Sequence, residues 1–167
     1  MNTLLLLVLA VALGQVPGTE LRERATAFAE LPAECAAEYD PELRRWRQVD
    51  GTLVRRCDLD GDGTEELLVW TGESGSGGET WSVMTRRGGQ WRRAGWIFGT
   101  AHFIDKPPHR GLVVETPCGW DEATWEFWSL ENGVLKSRVK VEIRYLPSEG
   151  NILRTRPAEI RIREEKP

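Results

Sequence analysis

Two hydrophobic patterns divide this chain at about residue 50. In residues 19–47, apolar side chains such as Leu21, Ala25 and Phe28 recur at helical spacing, which predicts short helices. From residue 52 onward, runs rich in β-branched and aromatic residues are separated by Gly, Asn and Pro, which predicts strands. The predicted strands are Leu53–Cys57, Glu66–Thr71, Thr80–Arg86, Trp91–Phe98, Gly111–Glu115, Thr124–Leu130, Leu135–Tyr145, Asn151–Thr155 and Glu159–Arg163.

Tight turns and alternating residues indicate how these strands pair. Gly88-Gly89 and Asn132-Gly133 are two-residue hairpin signals. Between residues 139 and 145, apolar side chains alternate with charged ones, so that strand has one solvent-facing side, as is usual in antiparallel sheets. The sequence therefore predicts a mainly β (α+β) fold, in which short N-terminal helices precede an antiparallel β-meander.

The β-rich region repeats itself with a shift of 44 residues. Leu68–Trp91 aligns without a gap on Leu112–Leu135, and Thr80-Trp81 falls on Thr124-Trp125. Because this period is that of one propeller blade, we expect two blade-like units. Two units are too few to close a propeller, which needs about four to eight blades. The predicted boundaries are 49–167 for the β domain and about 53–98 and 99–146 for its units.

An apolar run occupies the beginning of the chain. Residues 4–13 contain no polar side chain; such a run is too short to cross a bilayer and has the length of a signal-peptide core. Ala12 and Gly14 are small residues at alternate positions, which predicts a signal peptide over residues 1–14, followed by a helical segment over 15–48. The mature protein is expected to be secreted or periplasmic and not membrane-spanning. The alternative is a buried N-terminal helix.

Composition and cysteine content narrow the class of protein. An apolar content of 40% argues against disorder, and a net charge of −4 without a concentrated basic face argues against nucleic-acid binding. In an oxidising compartment, Cys35, Cys57 and Cys118 predict one disulfide and one free thiol, with the pairing open. A zinc site is not expected, because there is no CxxC motif and both histidines lie elsewhere.

The segment 58–66 has the pattern of a calcium loop. Oxygen-bearing side chains fall at alternate positions, with Gly61 and Gly63 where the chain must turn sharply. An EF-hand would carry an acid at position 12, which here is Val69, so the loop is expected to join two strands. The alternative is an acidic turn closed by Asx hydrogen bonds without an ion. The predicted calcium ligands are the side chains of Asp58, Asp60, Asp62 and Glu66 and the carbonyl of Thr64.

This loop also carries a family resemblance. From Cys57 to Val69 the chain resembles the aspartate loop of FG-GAP or VCBS-type repeats in integrin-like β-propellers. The wider run through Thr80-Trp81 and Gly89-Gln90-Trp91 is similar to small secreted bacterial proteins with a single such loop. The resemblance covers roughly residues 53–135 and implies calcium held between two strands by Asp58, Asp60, Asp62 and Glu66. The number of repeats, two at most, departs from the propeller pattern.

Candidate contact residues lie outside the loop. Trp125 and Trp128 are an odd number of positions apart, so they are expected to face opposite sides of a strand, with Trp128 as the exposed, ligand-binding one. Packing in the core is the competing interpretation for each tryptophan. The glycine-rich stretch 72–79 predicts a mobile hairpin loop, in which Ser74 and Ser76 are candidate contact residues.

Catalytic motifs are missing from the sequence. Neither His102 nor His109 lies in a recognisable nucleophile context, and for Cys118 a disulfide is a simpler role than nucleophilic attack. The sequence therefore predicts that the protein is not an enzyme. It predicts a calcium-stabilised β module with a non-catalytic binding role. Its partner is expected to be a protein or glycan of the cell envelope. The alternatives are a carbohydrate- or peptidoglycan-binding protein, a small inhibitor of an envelope enzyme, and an enzyme.

Overall fold

The structure is a computed structural model. It describes residues 6, 8–10, 23–26, 52–75, 78–106, 109–119, 121–145 and 157–164. Within these ranges the chain is mostly strand. The strands are β1 (Glu23–Thr26), β2 (Thr52–Cys57), β3 (Glu66–Gly75), β4 (Gly78–Arg87), β5 (Gln90–Phe98), β6 (Thr100–Lys106), β7 (His109–Pro117), β8 (Glu122–Glu131), β9 (Val134–Tyr145) and β10 (Pro157–Glu164).

The strands form two antiparallel five-stranded sheets. Sheet 1 has the order β1-β2-β3-β4-β5 and sheet 2 the order β10-β9-β8-β7-β6, so neighbours in sequence are neighbours in space. The predicted two-residue turns join β4 to β5 and β8 to β9, and all four of their residues have positive φ, as a type I′ turn requires. This is the predicted antiparallel meander, and no closed barrel or propeller forms among the described residues.

A central cluster of buried side chains lies between the two sheets. Sheet 1 contributes Leu68, Trp81 and Val83, and sheet 2 contributes Leu112 and Leu130, all at most 6% exposed. Burial of this apolar surface is the main force that joins the sheets. A second cluster, here called the outer cluster, covers the opposite side of sheet 2. Its members are Val8, Ile104, Val113, Ala123, Trp125, Phe127, Val139, Val141, Ile143 and Tyr145.

Corresponding hairpins of the two sheets match under the 44-residue shift. Trp81 pairs with Ile97 across β4 and β5, and Trp125 pairs with Val141 across β8 and β9. The strand register also shifts at the equivalent position in both hairpins, between Val83 and Met84 in β4 and between Phe127 and Trp128 in β8. The two tryptophans therefore hold equivalent positions within their sheets.

The preceding hairpins depart from this shift by one residue. Leu68 on β3 lies opposite Val83, whereas it is Val113 and not Leu112 that lies opposite Phe127. Because side chains alternate between faces, a shift of one residue reverses the side on which aligned residues lie. Leu112, which aligns with Leu68 in sequence, therefore sits on the opposite face of its own sheet.

The two sheets are stacked front to back. Trp81 belongs to the central cluster and faces sheet 2, while the equivalent Trp125 belongs to the outer cluster and faces away from sheet 1. The face of sheet 1 that carries Trp81 and the equivalent face of sheet 2 that carries Trp125 therefore point in the same direction. The face of sheet 1 is covered by sheet 2, whereas the equivalent face of sheet 2 points away from sheet 1.

Several local predictions are corrected by the structure. Of the predicted helical segment 15–48, only Glu23–Thr26 are described, and they form strand β1 beside β2 rather than a helix. Strand β6 (Thr100–Lys106) was not predicted. The predicted loop 72–79 is largely strand, because β3 continues to Gly75 and β4 begins at Gly78. The predicted strand at 151–155 and the residues 76–77 lie outside the described residues.

The N-terminal apolar run is described only at residues 6 and 8–10, which are helical. Val8 is fully buried in the outer cluster. In the described part of the chain, no helix has the length and apolarity needed to cross a membrane.

The predicted disulfide is not formed. Cys57 is a buried free thiol and Cys118 an exposed one, and every pairing of the three cysteines includes at least one of them. Cys35 itself lies outside the described residues.

Candidate ion-binding loop

The acidic loop joins β2 to β3 at one end of sheet 1. Cys57 and Glu66 are paired across the two strands, so residues 58–65 form the connection. Gly61 and Gly63 have φ of 81° and 86°, a region that side chains with a Cβ disfavour. Leu59 points inward and is 1% exposed within the central cluster. The loop is thereby fixed at its buried residue while its carboxylates gather outside.

Backbone amides hold three of the loop carboxylates in place. Asp58 accepts hydrogen bonds from the amides of Gly61 at 2.7 Å and Gly63 at 3.1 Å. Asp60 accepts from the amide of Asp62 at 3.2 Å, and Asp62 accepts from that of Thr64 at 2.7 Å. These are the Asx contacts expected of an acidic turn, and they also orient the remaining carboxylate lone pairs before any ligand arrives.

Glu66 is the buried acid of the site. It is 1% exposed, and its carboxylate accepts a hydrogen bond from the amide of Leu59 at 2.7 Å and one from the hydroxyl of Thr85 at 3.0 Å. Burial raises the pKa of Glu66, the two hydrogen bonds lower it, and the nearby charges of Asp60 and Asp62 raise it again, with a net increase. The site therefore favours a positive charge or a proton at this carboxylate.

The structure brings together three of the four predicted carboxylates. One oxygen from each of Asp58, Asp60 and Glu66 lies within 4.8 Å of the others. Asp62 lies outside this group, and its carboxylate is bound to the Thr64 amide instead. A set made only of hard oxygen donors is suited to calcium or magnesium.

Arg110 is a member of the site that the sequence did not predict. From β7 in sheet 2, its Nη1 reaches the carboxylate of Asp58 at 3.1 Å, and its Nη2 lies 2.6 Å from Asp105. It also lies close over the loop, because a Cβ at Gly61 would be 2.8 Å from Nη1. Arg110 thus compensates part of the negative charge and connects the loop to sheet 2. No pattern in the sequence pointed to it, because Arg110 lies 52 residues from Asp58 along the chain.

The predicted ligand-binding residues lie elsewhere. Trp128 is not freely exposed, because it is partly buried and packs against the central cluster. Trp125 does face the opposite side, but it is only 6% exposed. Ser74 lies in β3 opposite Glu79, and Ser76 lies outside the described residues. Trp128 is therefore only partly exposed, and its role in ligand binding stays a prediction.

Exposed aromatic rings are found instead on β5. Trp96 is 60% exposed and Phe98 is 42% exposed, and their alternate positions place both on one face. The guanidinium of Arg93 lies 5.3 Å from the Trp96 ring centre. Phe98 also adjoins the end of the β3–β4 hairpin, since its Cζ would lie 3.9 Å from a Cβ at Gly75. The sequence predicted an exposed aromatic residue at Trp128, but the exposed aromatic surface beside this hairpin is formed by Trp96 and Phe98.

The two histidines pack on aromatic rings of the outer cluster. His102 stacks on Trp125 with ring centres 6.1 Å apart, and His109 meets the edge of Phe127 at 6.5 Å. Burial lowers the pKa of His102, the charge of Arg55 lowers it further, and Glu115 opposes both. These contacts are those of packed rings, not of a nucleophile and its base.

The exposed thiol borders a small pocket. Cys118 Sγ lies 3.4 Å from the Thr116 carbonyl and 3.4 Å from the Thr124 hydroxyl, beside a cavity of about 260 Å³ that β8, β9 and β10 line. The charged groups there pair with one another, as Arg161 does with Glu159 at 2.9 Å. Such mutual pairing is typical of a surface groove.

Comparison with known proteins returns no match: no family model, no curated protein and no solved structure matches this chain. The resemblance to FG-GAP and VCBS-type loops therefore stays a prediction.

Proposed function

We propose that this protein is a calcium-stabilised β module, exported from the cytoplasm, that binds another molecule without catalysing a reaction. The observation that carries the proposal is the convergence of Asp58, Asp60 and Glu66 at the β2–β3 connection, with ligand oxygens within 4.8 Å of one another. Three carboxylates this close repel each other unless a cation or a proton lies among them.

Calcium suits the site better than the other common divalent ions. Its donors are oxygens, which suit calcium and magnesium, whereas zinc and copper sites are typically built from imidazole and thiolate groups. Magnesium demands near-ideal octahedral geometry, whereas calcium accepts six to eight oxygens in irregular arrangements. Carbonyl groups of a curled loop and water complete such a shell readily, and Thr64 is the predicted carbonyl donor.

The ion would act on stability and position. It would link Asp58 and Asp60 in the loop to Glu66 at the start of β3, and so fix the two strands that the loop joins. Glu66 already contacts Thr85 on β4, so the effect extends across three strands of sheet 1. We infer a structural ion whose binding energy appears as folding energy.

Calorimetry with matched variants tests this proposal. Wild-type protein, freed of metal by chelation and dialysis, is expected to bind one calcium per chain. Asp60→Ala is expected to abolish the binding heat, because it removes one of the three converging carboxylates. Glu65→Ala removes an equal charge from an exposed neighbour and is expected to change the dissociation constant less than about threefold. Equal losses in both variants would indicate unspecific attraction of cations to an acidic surface.

A second candidate function, glycan binding, is favoured by the exposed pair Trp96 and Phe98. Aromatic rings on an extracellular β-sheet offer an apolar surface to the CH faces of sugars. Titration with soluble peptidoglycan fragments is expected to quench tryptophan fluorescence in the wild type but not in Trp96→Ala. Quenching that persists in Trp96→Ala, or none in the wild type, would remove this surface from consideration.

A further inference from the structure

The outer cluster marks a second binding surface. Nine of its ten members come from strands β6 to β9 of sheet 2, and the tenth is Val8. Val8 has no exposed surface, Leu9 is partly buried against the same cluster, and residues 6 and 8–10 are helical. A short apolar helical segment is therefore seated on this face of sheet 2.

The apolar face extends beyond that segment. On β10, Ile160 lies opposite Ile143 and Ile162 lies opposite Val141, so both isoleucines share the face of the outer cluster. They remain 39% and 45% exposed. In sheet 1, the equivalent face is covered by a whole second sheet, whereas here the described cover is a few helical residues.

We propose that the face of sheet 2 carrying Trp125, Phe127 and Val141 is a docking site for an apolar helix of another protein, and that the N-terminal segment occupies it until that segment is removed. This inference rests on the proposed export, in which the chain is hydrolysed between Gly14 and Gln15. Loss of residues 1–14 removes Val8 from the cluster and exposes apolar side chains that are now buried.

The seated segment indicates the chemistry and size of the occupant. It presents Val8 and Leu9 to the outer cluster, so the face accepts a helix with an aliphatic surface. Strands lie about 4.8 Å apart, so the four strands from β7 to β10 span about 14 Å, which a helix of about ten residues crosses at 1.5 Å per residue. Trp125 adds a polar feature, since its buried Nε1 has no acceptor among the described residues. A side chain of the incoming helix can supply that acceptor.

The test begins with the full chain, exported by a bacterial host in the presence of calcium. Mass spectrometry of the product is expected to show an N-terminus at Gln15. A product that retains residues 1–14 would overturn the proposal, because the face would then stay covered. Calcium titration of the same preparation separates the two claims: calcium binding without peptide binding refutes this inference alone.

The probe is a fluorescent synthetic peptide of residues 1–14 with three lysines added for solubility. We expect saturable binding to the mature chain, and at least tenfold weaker binding of the Val8→Asp peptide. The double variant Ile160→Glu/Ile162→Glu is expected to weaken binding at least fivefold by adding charge to the face. The matched control Trp96→Glu, at an exposed aromatic of sheet 1, is expected to leave binding unchanged.

Three results would contradict the docking site. Equal binding of both peptides would indicate unspecific adhesion. Equal losses in the β10 double variant and the Trp96→Glu control would show that sheet 2 is not involved. A mature chain that does not bind the peptide overturns the proposal, and light scattering then shows whether a second copy of the chain covers the face instead.

Discussion

The substitution Glu66→Gln separates an ion ligand from an ordinary buried hydrogen-bonding group, because the two roles predict opposite signs. Without calcium, the variant loses a carboxylate whose burial opposes ionisation. Its amide oxygen still accepts the hydrogen bond from the Leu59 amide, and its amide group donates to the Thr85 hydroxyl. We therefore expect the metal-free variant to be as stable as the metal-free wild type, or more stable, at pH 7.

In the presence of calcium, we expect the wild type to be more stable than the Glu66→Gln variant. At a calcium concentration one hundred times the dissociation constant, binding adds about 2.7 kcal/mol to the wild-type free energy of unfolding. For a chain of this size, each 1 kcal/mol raises the midpoint of thermal unfolding by about 2–4 °C, so calcium should raise it by about 5–11 °C. The variant lacks one of three converging carboxylates and should gain little.

The assay is thermal unfolding followed by circular dichroism, in calcium and in chelator, for wild type, Glu66→Gln and Glu65→Gln. The exposed Glu65 is the matched control, and its variant should stay within about 0.5 kcal/mol of wild type in both buffers. If Glu66→Gln lowers the midpoint equally in calcium and in chelator, Glu66 is a structural hydrogen-bond acceptor and the ion assignment is wrong.

Three further predictions follow from the site and the cysteines. In chelator, Glu66 should contribute to the free energy of unfolding fully below its unfolded pKa of about 4.5, and this contribution should be lost as the pH rises through its raised folded pKa. Melting curves at several pH values should therefore show a pH dependence that the Glu66→Gln variant lacks. Arg110→Gln should tighten calcium binding roughly two- to fivefold in calorimetry, because its guanidinium no longer competes at Asp58, whereas weaker binding would show that Arg110 positions the loop. Iodoacetamide should modify Cys118 in the native protein but leave Cys57 intact in peptide mass spectra, since burial raises the pKa of the Cys57 thiol; rapid modification of Cys57 would contradict its burial.

The sequence predicted the features that depend on neighbouring residues. The hairpin at Gly88-Gly89 follows from residues that tolerate positive φ, and the β4 and β5 strands follow from the apolar and aromatic residues on either side. The curled loop with Asp58 and Asp60 is equally local, because its hydrogen bonds span two to five residues. Periodicity and turn chemistry act over these short distances.

Features set by distant contacts were missed. Arg110 lies 52 residues from its partner Asp58, and no local pattern encodes that distance. Residues 23–26 lie in a segment whose apolar residues have helical spacing, yet pairing with β2 makes these four residues a strand, since tertiary contacts override weak propensity. The opposite orientations of Trp125 and Trp128 were predictable, but which of them the second sheet would cover depended on the stacking of the sheets.

Crystals grown with calcium test the central claim most directly, through an anomalous difference map collected at long wavelength. With calcium bound as proposed, a peak is expected about 2.3–2.6 Å from carboxylate oxygens of Asp58, Asp60 and Glu66, within a shell of six to eight oxygens. A loop without such a peak at saturating calcium, with Arg110 as the only cation at Asp58, would contradict that claim.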